Sequence, residues 1–364
     1  MSRRPYIDWM RGVAVLVMIE WHALDSWTRV EDREGTAFWL LAFLGGWAAP
    51  LFLFLAGLAV PLAGHAKIAR GISRQDASRE LQRRGWQVFL LAHVFRLQSF
   101  LLNPTARWSS LLKPDILNIL GLGLVAAAWI WGRGRGRRSE AMWLAGIALA
   151  VVAITPLVRS WWWPSLLYPR FEAYLRPVGT FGVFSLFPWV GLLFAGATVG
   201  VYLADQRDTP ALHKRLALLG LSVFAIGMIG SYVPSPLAQS SFWTTSISLF
   251  LIRCGVMTST LPLAWLIKRT SEAWSPTILL GRHSLFVYWV HVELAYGVFM
   301  RPWQKSFAIS EAMIGFALLT GLMIALTLGW QKWRSAPLVP SHLVVAPPAR
   351  RRLGARASSL ETAS

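Results

Sequence analysis

The sequence predicts an all-α integral membrane protein, a polytopic bundle of about ten transmembrane helices. Three observations carry that expectation. Of the 364 residues, 55% are hydrophobic and only 15% charged. Long apolar runs recur along the chain, and a spanning helix needs roughly 20 predominantly apolar residues. The charge that remains is strongly basic, with 36 Lys and Arg against 17 Asp and Glu, and it gathers in alternate connecting segments. Continuous runs of this length do not fit a barrel of alternating strands. Lipid offers no partner for free backbone groups, so helices are required.

The stretches follow in order at 11–28, 38–62, 85–102, 115–131, 141–158, 183–203, 213–232, 243–267, 277–299 and 310–330. The first comes after Arg3 and Arg4, is interrupted by Glu20, His22 and Asp25, and has no small-residue cleavage site behind it. It therefore reads as a retained helix, not a signal peptide. The second returns the chain to a segment, 65–84, that carries +4. The third is the least apolar, since it holds His93 and Arg96. The fourth, opened by Asp115, leads into an Arg-Gly repeat at 132–140 that carries +3. This repeat sets topology or meets a phosphate or anionic lipid. An aromatic segment, 156–182, joins the fifth and sixth stretches. It includes Trp161, Trp162, Trp163, Tyr168, Phe171, Tyr174 and Phe181, and suits either an interfacial belt or a sugar-stacking platform. The remaining four stretches complete a membrane domain over 1–334. The tail 335–364 is rich in Pro, Arg, Ala and Ser and is expected to be disordered.

Orientation follows from the loops. With the N-terminus in the cytoplasm, the segments on that side carry +17, those on the other side +3, and the helices −1. Lys and Arg near helix ends stay inside, so both termini read as cytoplasmic. The net charge of +19 is then mostly a record of orientation. A nucleic-acid binder is excluded by the same apolar fraction, and a disulfide scaffold by the single Cys254. No His-Glu-x-x-His or other ligand spacing suggests a metal. Cys254 reads as a buried thiol, with a thioester carrier as the sharper alternative.

An ionisable group at bilayer depth costs on the order of 2.5–3.5 kcal/mol on insertion scales and is a functional candidate. Such groups concentrate from the midplane outward. His22 and Asp25 are three apart and share a helical face, where a carboxylate can orient an imidazole. They are the catalytic candidates, general base and orienter. Glu20 lies about 200° around that helix and is expected to meet Arg96 or Arg253 from another. Arg96, Asp115, Asn118, Arg253, Tyr288 and His291 are the candidates for binding substrate. His283, after Gly281-Arg282, either caps a helix or meets a phosphate.

These residues lie within motifs that resemble a known family. Asp8-Trp9-Met10-Arg11-Gly12 is similar to the Asp-x-x-Arg-Gly opening of the transmembrane acyltransferase superfamily, in particular of bacterial relatives of heparan-α-glucosaminide N-acetyltransferase. Met18-Ile19-Glu20-Trp21-His22, the run from Ala49 to Gly57, and Pro114-Asp115-Ile116-Leu117-Asn118-Ile119-Leu120-Gly121 follow in its style and order. So do Phe187-Pro188-Trp189-Val190-Gly191 and Leu280-Gly281-Arg282-His283-Ser284-Leu285 with Tyr288 and His291. The resemblance spans about 5–300. It implies ten or eleven spanning helices and transfer of an acyl group, in the first instance acetyl, from cytoplasmic acyl-CoA to an extracytoplasmic sugar or glycan. It also implies a histidine as acyl carrier or general base, which His22 matches. Residues 28–37 contain no histidine, and general base is the role assigned to His22. The phosphates of CoA suit the positive side, where Arg11, Arg282 and His283 lie. A bacterial inner-membrane location follows, and an oligomer is compatible with such a bundle. The rival expectation is a transporter or flippase of a glycan or small anion, with the same buried groups as a proton relay. It calls for inverted repeats, and none is visible.

Overall fold

A computed structural model describes residues 4–103, 107–179, 183–235, 240–269 and 274–335. The chain divides into two units, Met1–Thr327 and Leu328–Ser364. The tail beyond 335 lies outside the described residues, as does Phe181 of the aromatic segment.

The described chain is helical throughout. In order the α-helices are α1 Pro5–Trp27, α2 Thr36–Gly45, α3 Ala48–Ile68, α4 Arg74–Leu102, α5 Ile116–Gly132, α6 Arg137–Ser160 and α7 Pro169–Leu175. There follow α8 Leu186–Leu203, α9 Pro210–Ser231, α10 Phe242–Thr245, α11 Ile247–Lys268, α12 Pro276–Arg282, α13 Ser284–Tyr296 and α14 Ile309–Ser335. No sheet occurs among the described residues. One isolated bridge, Thr28 with Phe307, ties the end of α1 to the segment before α14.

Six segments are long and apolar enough to cross a membrane: Thr36–Ile68, Arg137–Ser160, Leu186–Leu203, Pro210–Ser231, Ile247–Lys268 and Ile309–Arg334. The protein is thus a polytopic membrane protein. The other four expected stretches are helical too, but each departs from a plain apolar span. α1 and α4 carry charges inside them, α5 has 17 residues, and the ninth stretch breaks at His283 (φ −111°, ψ 23°) into α12 and α13. α9 and α14 turn large apolar side chains outward, among them Leu221, Ile229, Ile314 and Leu318. This is the surface hydrocarbon would cover.

Two of the bundle's close crossings bear on the site. Where α3 meets α8, a Cβ at Gly57 would overlap the Leu193 carbonyl, and one at Gly196 the Phe54 carbonyl. Where α1 meets α12, a Cβ at Gly12 would overlap the Thr277 carbonyl, and one at Gly281 the Asp8 carbonyl. Small residues let membrane helices approach to backbone contact, which is how they associate without a hydrophobic driving force. The first crossing sits in the larger apolar core, with Leu53, Phe54, Leu58 and Leu193 fully buried. The second brings the Asp8–Gly12 motif against Gly281-Arg282, although some 270 residues separate them in sequence.

Candidate active site

A cavity of about 1000 Å³ opens between α1, α3, α4, α5 and the α12–α13 pair. Its lining changes character along its length. Arg11, Arg84, Arg282 and His283 line one end, and Asp25, Arg96, Lys113, Asp115 and Glu293 the other. His22 stands on α1 eleven residues beyond Arg11, about 16 Å along a helix that rises 1.5 Å per residue.

The basic end is positioned by the α1–α12 crossing. Asp8 is buried, and its carboxylate lies 3.7 Å from Arg11 Nη1 and 3.5 Å from Arg282 Nε. One carboxylate therefore holds two guanidinium groups beside the cavity and keeps their charges from separating the helices. This accounts for the spacing of the motif: Asp8 and Arg11 share a face, and Gly12 admits α12.

His22 does not bond the carboxylate expected of it. Its Nδ1 lies 2.9 Å from His291 Nε2, and the two rings stack with centroids 5.1 Å apart. His291 Nδ1 lies 2.6 Å from the Val287 carbonyl, one turn back on α13. A carbonyl only accepts, so His291 carries its proton on Nδ1 and its Nε2 is an acceptor. His22 then donates from Nδ1, and its Nε2 keeps a lone pair. His291 is fully buried, whereas His22 lines the cavity. The chain of bonds leaves one nitrogen lone pair unused, on the ring that faces the cavity.

Asp25 bonds elsewhere. It accepts from the Tyr296 hydroxyl at 2.8 Å and pairs with Arg33 at 3.7 Å. The Tyr296 ring meets His22 edge-on at 5.3 Å, so Asp25 touches the imidazole's surroundings only through Tyr296. The i,i+3 spacing put the two side chains on one face but said nothing of α13, whose residues intervene.

At the mixed end, Asp115 is the N-cap of α5. It accepts from the Ile116 amide, and its own amide donates to the Asn118 side-chain oxygen at 2.9 Å, a capping box. The other Asp115 oxygen accepts from Tyr288 Oη at 2.9 Å and faces Arg96 Nη2 at 3.3 Å. Burial, and then the nearby Arg96 cation, hold the Lys113 ammonium below the usual lysine range. Trp289 Nε1 donates to Gln98 at 2.7 Å and fastens α13 to α4.

The cavity thus gathers His22, Asp25, Arg96, Asp115, Tyr288, Arg11, Arg282 and His283. His291 joins through His22. Asn118 serves the cap and does not line the cavity. Arg253 lies on α11 in a separate pocket. Glu20 does not meet Arg96 or Arg253; both its carboxylate oxygens are buried without a hydrogen-bond partner among the described residues. Sequence reasoning did not single out Tyr296, Lys113 or Arg84. The signal for Tyr296 was its place five residues beyond His291, on the helix that carries the other site aromatics. Cys254 is buried and lines neither pocket. Trp162, Tyr168 and Phe171 are exposed and do not line the main cavity, which fits a belt at the interface. No group of three or more His, Cys, Asp or Glu side chains suited to a metal occurs among the described residues.

A comparison with curated proteins found no match. Residues 3–229 match the family described as heparan-alpha-glucosaminide N-acetyltransferase, catalytic. That span runs from the start of α1 into the last turn of α9 and takes in the Asp8–Gly12 motif, His22 and Asp115. It covers well over half of the 364 residues, and the chain, a membrane acyltransferase, belongs to the heparan-alpha-glucosaminide N-acetyltransferase catalytic family.

Proposed function

We propose that the protein moves an acetyl group from cytoplasmic acetyl-CoA to a sugar or glycan on the far side of a bacterial inner membrane, with His22 as the general base. The observation that carries this reading is the relay Val287–His291–His22. It leaves a single unprotonated nitrogen on the wall of a cavity whose ends differ in charge. In this reading all ten stretches cross, α1, α4, α5 and the α12–α13 pair included. Both termini then lie on the cytoplasmic side, which carries +17.

The chemistry follows from the groups present. CoA phosphates meet Arg11, Arg84 and Arg282 at the basic end, with His283 beside them. The acceptor enters at the other end, among Asp115, Arg96, Lys113 and Glu293. His22 Nε2 takes the proton from the acceptor's hydroxyl or amine as the acceptor atom bonds to the thioester carbonyl carbon. The carbon–sulfur bond breaks, and the CoA thiolate leaves and takes the proton back from His22. His291 is a positioning residue: it fixes which His22 nitrogen carries hydrogen. Asp25 and Tyr296 hold the ring from the outer side.

The test supplies radiolabelled acetyl-CoA to the purified protein in proteoliposomes that enclose envelope glycans. Label should reach the enclosed glycan with the wild type and not with His22→Ala. Transfer that survives in His22→Ala, with the variant eluting as a folded species, would remove His22 from the mechanism. Mass spectrometry of envelope glycans from a deletion strain should show a lost acetyl increment and identify the acceptor.

A further inference from the structure

A second pocket of about 220 Å³ lies beside the main cavity, with Val183 and Trp189 in the wall between them. It is built by the end of α6, the start of α8, α10 and the first turns of α11. Arg159 and Arg253 both line it, together with Trp243, Thr244 and Ser246. No carboxylate is among the described residues that line the pocket. Between 141 and 271 the chain has only Glu172, Asp205 and Asp208 as acidic residues. Glu172 is engaged by Arg176 at 2.7 Å, Asp205 by His65 at 2.6 Å, and Asp208 by Arg4 and His213. Arg159 Nε is buried without a hydrogen-bond partner among the described residues. Neither guanidinium has an ion pair among the described residues, and the two undescribed segments nearest the pocket in sequence, 180–182 and 236–239, contain no acid.

Two unpaired guanidinium groups facing one small pocket in a membrane protein are costly to keep unless something anionic neutralises them. A guanidinium presents a planar fork of donors that fits the oxygens of a phosphate two at a time. Thr244 and Ser246 add hydroxyl groups, and Trp189 and Trp243 supply apolar walls. We propose that this pocket binds a phosphate group. Two sources share that chemistry: the headgroup of an anionic lipid entering past Trp243, which is 60% exposed, or a phosphate carried by a water-borne molecule. Because the pocket adjoins the main cavity through Val183 and Trp189, its occupant lies next to the acceptor's region. The binding claim itself does not rest on the acyl-transfer reading.

The experiment measures thermal unfolding of the full chain, delipidated in an uncharged detergent, against inorganic phosphate and against short-chain phosphatidylglycerol. Native mass spectrometry counts bound lipid in parallel. One or both probes should raise the unfolding temperature of the wild type, and Arg159→Gln and Arg253→Gln should each abolish the rise. Arg207→Gln, an exposed control, should keep it. A response to lipid alone supports the site with a headgroup as occupant. An equal response to inorganic phosphate supports it with a water-borne phosphate. Arg253→Lys keeps the charge without the fork and should retain a weakened response, which covers the case in which a Gln variant does not fold. Without probe, Arg253→Gln should unfold no earlier than the wild type, since it removes an uncompensated charge. The proposal is overturned if neither probe shifts the wild type, or if the Arg159 and Arg253 variants respond as the wild type does.

Discussion

The α3–α8 and α1–α12 crossings use the same device and do different things with it. Both bring backbones into contact through paired glycines, Gly57 with Gly196 and Gly12 with Gly281. At α3–α8 the large side chains flanking the glycines, Leu53, Phe54, Leu58 and Leu193, are apolar and fully buried, and the contact packs the core. At α1–α12 the approach delivers Arg282 to Asp8 and sets the break at His283, after which α13 presents His291 and Tyr296 to α1 and Tyr288 to Asp115. The difference teaches that a membrane bundle can build a polar site without a polar core. It needs one crossing that is close for the sake of charge and aromatic placement, braced by another that is close for the sake of packing.

Substitutions can break this contrast. The largest effect on chemistry is expected at His22, where replacement by Ala should reduce acetyl transfer by about 10²–10⁴-fold, the usual range for a general base. Steady-state rates on a variant with a wild-type unfolding temperature check this. Next comes the packing crossing: Gly57→Val forces α3 off α8 and should cost about 1–3 kcal/mol or more of stability, read as early unfolding or aggregation in detergent. If Gly57→Val folds normally yet loses donor affinity, the two crossings are not distinct in role.

His291→Ala should lower kcat by roughly ten- to a hundredfold, the cost of leaving the His22 N–H unpaired in a dry site. KM for acetyl-CoA should stay near the wild-type value. Because it can still accept from His22 Nδ1, Gln at this position should restore part of the rate. An equal loss for Ala and Gln would make His291 a packing residue only. Arg282→Gln should raise KM for acetyl-CoA, and less so in high salt where exposed charges are already screened. Smallest of all, Tyr296→Phe removes one hydrogen bond to Asp25 and should cost about 1 kcal/mol, under a tenfold change in rate.

Particular residues mark how much was legible beforehand. The helical class and six segments long and apolar enough to cross a membrane could be read from apolar runs, because lipid imposes length and composition directly. The Asp8–Gly12 motif was legible as a motif, and Asp115 as a helix-opening residue, since both are local patterns. Asp25 was assigned to His22 on local spacing alone, and Glu20 to an arginine on charge alone. Helical periodicity fixes which residues share a face of one helix and cannot say what the neighbouring helix brings to that face. Arg253 joined the main site on depth alone, although α11 holds it on the far side of α8's opening residues, next to Arg159.

The sequence by itself determined that this chain is an α-helical membrane protein with polar groups inside its helices. Composition, run length and the distribution of Lys and Arg are sufficient for that. Only the tertiary structure decided the partners. It stacked His22 on His291 across 269 residues of chain, sent Asp25 to Tyr296, and left Arg159 and Arg253 facing each other's pocket without a carboxylate. The physical reason is that hydrocarbon constrains each helix separately, while the site is made between helices. Helix rotation and approach there are set by where a glycine lets two backbones touch.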